Sequence, residues 1–338
     1  MQRIINVTRK MLMNQGIISS ILLLPIYSKL VSTQRAASTL TPPKPPDSEF
    51  IGFHSVTVRT LVRMPEKHIP PKIERFEDFE VHLRGSLNPN KTLALLLDYD
   101  GTLAPIADHP DKTIMSIAIE TILNKLAKNP NIFLAIISGR ALDDIKNKIG
   151  INGITYAGNH GLEIESADNS RHDYRLSEEI LENYNRLVKD LQENAVKNNA
   201  WVEDKRISLS FHYRAVPVNM KAAVKQEATR IIEKHGYTAN AAHEAIEAKP
   251  PVVWNKGEAS VFLLKEQFGE DWSKKVNVVF VGDDTTDEDA MQKLQGVGKS
   301  FRISSDPEMK TFADFRLTSQ DLVGDLLSWI SNTYENEE

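Results

Sequence analysis

The stretch Lys91-Thr-Leu-Ala-Leu-Leu-Leu97 is a short apolar run that ends directly in Asp98-Tyr-Asp100-Gly101. A strand with one wet face would alternate apolar and polar residues. A run without alternation suits a strand buried on both faces, as in a parallel sheet covered by helices on each side. The arrangement recurs: Ile132-Phe-Leu-Ala-Ile-Ile137 ends in Ser138-Gly139-Arg140, and Val276–Val281 ends in Gly282-Asp283-Asp284. After the first run comes Ile117–Lys128, with Ile119, Ile122, Leu123 and Leu126 on one helical face and Asn129-Pro130 as its stop. Leu142, Ile145 and Ile149 stripe the next helix, closed by Gly150. This alternation predicts an α/β fold with a doubly wound, Rossmann-like parallel-sheet core.

The middle of the chain breaks the pattern. Ser177–Lys197 reads as an amphipathic helix. Ile207, Leu209, Phe211 and Tyr213 then alternate with Ser208, Ser210 and His212, a strand with one buried and one wet face. Asn219–His235 reads as a further helix, with Asn219 as its N-cap and Gly236 just past its end. These elements predict an inserted α+β cap domain at 162–250, between core segments 91–161 and 251–334. A wet sheet face would line a cleft against the core.

Length and composition narrow the classes. The 338 residues are enough for one large domain or two modest ones, and 41% hydrophobic with 26% charged residues is ordinary for a globular chain. A formal net charge of −5 argues against a chain-wide basic surface for nucleic acid. The absence of cysteine excludes a disulfide framework, a Cys-ligated zinc, an iron–sulfur cluster and a thiol nucleophile. Residues 1–46 hold no Asp or Glu but carry several Lys and Arg, a pattern shared by mitochondrial presequences and by plain disordered extensions. The apolar stretch Gly16–Val31 is too short to span a bilayer, so no stable membrane insertion is expected. Thr41-Pro-Pro-Lys-Pro-Pro-Asp-Ser48 opens a linker and leading segment, 47–90, with a short helix around Ile73–Leu83. Leu322–Tyr334 reads as a closing helix, followed by the acidic tail Glu335–Glu338.

Ligands of open α/β sheets bind beyond the carboxyl ends of the strands. Asp98 and Asp100, two residues apart at such an end, would point to the same side, with Gly101 allowing a sharp turn. The third run adds Asp283, Asp284 and Asp287, and the second adds Ser138 and Arg140. So many carboxylates at one edge repel one another, and a hard divalent cation with oxygen ligands resolves that, Mg²⁺ commonly together with substrate phosphate. Calcium in an EF-hand loop is the rival. Counting from Asp283, its sixth position would be Glu288 and its twelfth Leu294, where Gly and Glu are needed. The plainer reading is that Asp98 and Asp100 only cap a turn; the Gly-Asp-Asp run at a second strand end weighs against it. Gly296-Val-Gly298-Lys299-Ser300 looks like the tail of a P-loop, but Lys293 stands where the first Gly belongs, and Phe301 and Ile303 read as strand rather than helix.

Asp98-Tyr-Asp-Gly-Thr-Leu103, followed in order by Ser138, Lys256 and Gly282-Asp-Asp284, resembles the haloacid-dehalogenase-type phosphatases. Ser138 lies 40 residues after Asp98, about one strand–helix–strand passage, whereas Lys256 lies 118 after Ser138, room for a cap inserted after the second motif. The finer resemblance is to trehalose-6-phosphate phosphatases. It rests on Leu97–Ile106, Ile137-Ser-Gly-Arg140, Gly158-Asn-His-Gly-Leu-Glu163, Glu203-Asp-Lys205, His212-Tyr-Arg214, Trp254-Asn-Lys-Gly257 and Gly282–Asp289, and covers about residues 90–330. Lys249 departs from the pattern, which places Arg before Pro250; the planar two-pronged donor is lost and the charge kept. No synthase-sized domain precedes residue 90, so a stand-alone phosphatase is expected rather than a fused form.

The resemblance implies Mg²⁺-dependent hydrolysis of trehalose 6-phosphate through an aspartyl-phosphate, and a cytoplasmic location. Asp98 would be the nucleophile and Asp100 the general acid and base. The metal would be held by Asp98, the Asp100 carbonyl and Asp283, helped by Asp284 and Asp287, while Ser138 and Lys256 would grip the phosphoryl oxygens. A disaccharide is rich in hydroxyls, so Arg140, Asn159, His160, Glu163, Lys205, Arg214 and Glu247 are candidate sugar contacts. The rival readings are a phosphatase or phosphomutase for another sugar phosphate, or a catalytically idle sugar-phosphate-binding regulator.

Overall fold

The structure is a computed structural model that describes residues 66–242 and 244–335. The chain passes through β1 (Lys72–Ile73), β2 (Leu93–Leu97), β3 (Ile132–Ile137), β4 (Thr155–Gly158), β5 (Glu163–Glu165) and β6 (Arg171–Asp173). It then builds β7 (Trp201–Asp204), β8 (Leu209–His212), β9 (Thr238–Ala242) and β10 (Ala245–Lys249), and returns through β11 (Asn277–Gly282), β12 (Lys299–Ile303) and β13 (Phe315–Leu317). The helices are α1 (Phe76–Leu83), α2 (Ile117–Ala127), α3 (Leu142–Ile149), α4 (Glu178–Asn194), α5 (Val218–Lys234), α6 (Lys256–Phe268), α7 (Trp272–Lys275), α8 (Glu288–Leu294) and α9 (Leu322–Thr333).

Among the described residues, nine strands form one sheet in the order β1-β13-β12-β11-β2-β3-β4-β5-β6. Pairing is parallel from β1 to β4, and β5 and β6 extend that edge antiparallel. The unbroken apolar runs form the centre of this sheet. Leu93, Leu95 and Leu97 face a layer that includes α1, α2, α3 and α9, and Ala94 and Leu96 face the layer of α6, α7 and α8. Each residue of β2 is buried because successive side chains enter opposite helical layers. After β2 the chain moves outward to β3 and β4, and after β11 it moves the other way to β12 and β13. The winding therefore reverses at the β2–β11 pair, whose carboxyl ends carry Asp98 and Asp283.

The four strands β7-β8-β10-β9 form a second, antiparallel sheet. One face packs on α4 and α5 through Leu209, Phe211, Ile246 and Ala248. The opposite face turns toward the core sheet's carboxyl edge.

Several expectations are corrected here. The cap boundary at 162 falls inside the large sheet, because β5 pairs on β4 and β6 on β5. The segment 47–90 is more than a leader over its described part: β1 pairs with β13, and Phe79 and Leu83 of α1 are fully buried. The helix expected from Asn219 begins at Val218, with Pro217 before it in the capping position. Ser208 and Ser210, expected to be wet, are buried because that face of the cap lies against the core. The expectations for residues 1–46, for 47–65 and for the last residues of the acidic tail lie outside the described residues.

Phe280 sits at the centre of β11 with no exposed surface. Phe280→Ala is expected to lower unfolding free energy by about 3–5 kcal/mol in a denaturant titration; an unchanged midpoint would mean that this strand is not enclosed.

Candidate active site

The loop after β2 is wound tightly on itself. Leu103 and Ala104 donate to the Tyr99 carbonyl at 2.9 and 3.0 Å, and Gly101 N donates to Ala104 O at 2.8 Å. Gly101 has φ +78°, and a Cβ there would fall 2.1 Å from Asp283 Oδ2. The position thus needs glycine for its backbone and for the close approach of the β11 end. Gly282 is constrained in the same way, since a Cβ would fall 2.3 Å from Asp287 Cγ. Asp287 Oδ2 accepts from the amides of Asp283 (3.0 Å) and Asp284 (2.9 Å), which folds the turn after β11.

Lys256 completes this cluster. Asn255 caps α6 by accepting from Glu258 N at 3.0 Å, which sets Lys256 at the first helical position. The Lys256 ammonium donates to Asp98 Oδ1 at 2.6 Å and to Asp287 Oδ1 at 2.7 Å, with all three residues buried. Asp98, Asp283 and Asp287 each bring a carboxylate oxygen within 4.8 Å of the others. One ammonium faces three acids. Burial pushes the Asp98 carboxyl up to about 7, against the pull of Lys256 and with the repulsion of Asp287. Burial and then the charges of Asp98 and Asp287 push Asp283 up to about 8. Asp283 Oδ1 is buried without a hydrogen-bond partner. An orphaned carboxylate oxygen beside a second acid fits a hard divalent cation, which takes oxygen ligands and relieves the repulsion.

The other expected residues are placed as follows. Asp100 lines the cavity above this cluster, and Arg140 holds both its oxygens at 2.7 Å. Arg140 also donates to Asp144 (2.7 Å) and to Pro110 O (2.9 Å), so four of its five N–H groups are taken up by protein. Ser138 is buried at the end of β3, where its hydroxyl accepts from Arg140 N at 3.2 Å. The Asp284 carboxylate turns to its own neighbour, accepting from Thr285 N at 2.6 Å, and lies outside the Asp98–Asp283–Asp287 group.

A cavity of about 520 Å³ separates the core edge from the inner face of the cap sheet. Asp98, Asp100, Arg140 and Lys256 line it from the core, and Lys205, Arg214 and Glu247 line it from the cap. Lys205 crosses the seam to donate to Gly139 O at 2.9 Å, and Arg214 crosses it to donate to Ala107 O at 2.9 Å. His160 also lines the cavity and meets Glu247 Oε1 at 2.5 Å. It sits in a short turn after β4 with φ +57°, beside Asn159 with φ +49°, a left-handed pair that non-glycine residues rarely adopt. Backbone bonds from Asn159 N to Arg140 O (2.7 Å) and from His160 N to Ser138 O (2.8 Å) tie that turn to the loop after β3. Asn159 and Glu163 do not line the cavity. Asn159 is wholly buried, donating to Glu163 Oε2 (2.6 Å) and accepting from Ser208 Oγ (2.5 Å) across the seam. Lys249 meets Glu247 Oε2 at 3.2 Å and lines a smaller cavity of about 170 Å³ behind His160.

Fold and site together define an α/β protein with a second, antiparallel sheet capping an acid-lined cavity at the carboxyl edge of its parallel sheet. The trehalose-phosphatase family model matches residues 96–321, and the chain belongs to that family. It is 32% identical over 242 residues to "Probable trehalose-phosphate phosphatase 4" of Oryza sativa subsp. japonica, covering 70% of this chain and 63% of that protein's length. It is 30% identical over 271 residues to "Probable trehalose-phosphate phosphatase D" of Arabidopsis thaliana, covering 76% of this chain and 71% of that one. Among solved structures, the C-terminal domain of a C. albicans trehalose-6-phosphate phosphatase superposes with a TM-score of 0.64 at 20% identity, over 78% of this chain and 99% of that one, a likeness of fold.

Trp201, Glu203 and His212 also line the cavity, and the Thr102 hydroxyl donates to Asp98 Oδ2 at 3.4 Å; the sequence marked the last three only as parts of motifs, and Trp201 not at all. The signal for Trp201 and Glu203 was present: residues 201, 203 and 205 alternate, so they share a face with Lys205.

Burial lowers the His160 imidazole to about 4, against the pull of Glu247. The unfolded imidazole takes up a proton near its ordinary 6.5 and the folded one only near 4, so stability is lost as pH falls through that window. Melting temperature is expected to fall by roughly 5 °C between pH 7 and pH 5, and less in His160→Gln. An equal drop in both proteins would assign the effect to other groups.

Proposed function

We propose that this chain is a phosphatase that hydrolyses trehalose 6-phosphate to trehalose and phosphate. The observation that carries the reading is the buried Asp98–Lys256–Asp287 cluster, opening into a cavity lined by charged side chains and roofed by the cap sheet, in a chain of the trehalose-phosphatase family. Asp98 Oδ attacks phosphorus, the bond from phosphorus to the sugar oxygen breaks, and that oxygen takes a proton from Asp100. Water then attacks the phosphoryl group on Asp98 and gives its proton to Asp100. The bond from phosphorus to Asp98 breaks, phosphate leaves, and both carboxyl groups return to their starting states.

Lys256 fixes the direction of the Asp98 carboxylate and brings a positive charge beside the phosphoryl oxygens. Ser138 stands at the neighbouring strand end as a further donor to the phosphoryl group. Asp98, Asp283 and the Asp100 carbonyl would hold a magnesium ion, with Asp287 and Asp284 behind them, and the ion would supply neutralisation of phosphoryl charge. Arg140 takes both Asp100 oxygens, so proton transfer to the sugar requires that pair to part, and Arg140 positions the acid. His160, Lys205, Arg214 and Glu247 present hydrogen-bonding groups to the sugar, while Asn159 and Glu163 brace the turn that carries His160.

Asp98→Asn is expected to cut phosphate release from trehalose 6-phosphate by at least about a thousandfold while the fold is retained. Turnover near the wild-type rate would reject Asp98 as nucleophile. A release screen over trehalose 6-phosphate, sucrose 6-phosphate and mannose phosphates should favour the first; a preference for another ester would reject the substrate. Millimolar Mg²⁺ is expected to raise the melting temperature of the wild type but not of Asp283→Asn, and equal rises in both would remove Asp283 from the cation site.

A further inference from the structure

The end of the cavity away from Asp98 is built from three aromatic rings that have no part in the scheme above. Trp201, Glu203 and Lys205 alternate along the chain, and all three line the cavity. Lys205 reaches Gly139 O at the phosphoryl end. The backbone of Trp201, four residues earlier, stands on the order of 13 Å from that of Lys205 along the extended chain. Directly across the β7–β8 pair is His212, whose ring stacks on Trp201 with centroids 4.1 Å apart and planes 13° apart. His109, from the core loop after β2, also stacks on Trp201, at 4.9 Å and 13°. His212 meets the indole from within the cap sheet, across the β7–β8 pair, and His109 meets it from the core. The same row continues across the cap sheet as Ala245 and Ala242, whose short side chains leave the neighbouring space to the cavity.

The two imidazoles are held differently. His212 is tied within the cap by Glu203, at 2.8 Å from its Nε2. The His109 side chain is 41% exposed, and its Nδ1 contacts stay within its own loop: the Asp111 amide at 3.3 Å and the Asp111 carboxylate at 3.5 Å. Its stack on Trp201 can therefore part without breaking either of those contacts. A sugar ring offers a flat C–H face with hydroxyls at its rim, which suits a rigid aromatic surface bordered by polar side chains. Resting on the phosphatase reading of Asp98, we propose that Trp201 is the platform for the second, unphosphorylated ring of a disaccharide phosphate, and that His109 competes with that ring for the indole face. A hexose phosphate anchored at Asp98 ends short of Trp201 and gains nothing from it. The pair thus selects substrates by length.

The test compares kcat/KM for trehalose 6-phosphate and for glucose 6-phosphate in the wild type, Trp201→Ala, Trp201→Phe and His109→Ala. Trp201→Ala is expected to lower the disaccharide-to-monosaccharide ratio about tenfold, chiefly through KM, with Trp201→Phe recovering most of the loss. His109→Ala is expected to move the ratio the other way, by about threefold, because a competitor has been removed. A stack that only clasps cap to core would make both alanine variants worse, for both substrates alike, and that result overturns the proposal. If Trp201→Ala fails a melting control, the signs for Trp201→Phe and His109→Ala still decide. If the wild type releases no phosphate from trehalose 6-phosphate, the phosphatase reading falls by itself. Calorimetric binding of trehalose to the same variants then decides the platform: opposite shifts support it, and parallel or absent shifts overturn it.

Discussion

The Lys256 ammonium shared between Asp98 and Asp287 is the contact on which the rest of the site depends. Taking charged groups out of water costs several kcal/mol per ion unless they are paired with good geometry. Here the pairing is enforced from several directions. Asn255 starts α6 so that Lys256 points inward, and Asp287 uses its second oxygen to fold the turn that carries Asp283. Without the ammonium, three carboxylates would stand together in a place that water barely reaches. With it, the acids still outnumber the ammonium, and a divalent cation beside Asp98, which lines the cavity, would offset the remainder before an anionic phosphoryl group enters.

The two sheets divide the work. The parallel sheet, buried on both faces, fixes the strand ends that carry the acids, and its reversal at β2 and β11 opens the crevice between them. The cap sheet buries one face on its own helices and turns the other, polar face to the cavity. Three of the contacts that cross the seam are Lys205 to Gly139, His160 to Glu247, and Ser208 to Asn159. Each ends on, or is tied by backbone bonds to, the loop after β3 that bears Ser138 and Arg140. The cap is thereby tied to the segment that holds Asp100 through Arg140.

The centre of this fold was readable because the physics there is local. A run such as Ile132–Ile137 has one way to bury both its faces, and it forms the strand with the bounds that the apolar pattern shows. The acids at strand ends were readable for the same reason, since a carboxylate directly after a buried run has nowhere to point except the sheet edge. What depended on tertiary contact was harder. Glu163–Glu165 and Arg171–Asp173 are short and polar, and they join the large sheet only because β4 presents an open edge. Ser208 and Ser210 look wet by alternation, and the core covers them. Asn159 and Glu163 have the chemistry of sugar contacts, yet they satisfy each other behind the cavity wall. Conversely, no local signal shows that His109 lies on Trp201, because one belongs to a core loop and the other to a cap strand, and they meet only across the seam.

The central claim is that Asp98, which lines the cavity, and Asp283 beside it form a cation site. Crystals soaked in manganese and measured at the manganese absorption edge test this most directly. An anomalous peak between the Asp98 and Asp283 carboxylates, absent from Asp283→Asn crystals, is the expected result. A map with no peak there, or with the ion bound elsewhere in the cavity, would contradict the account.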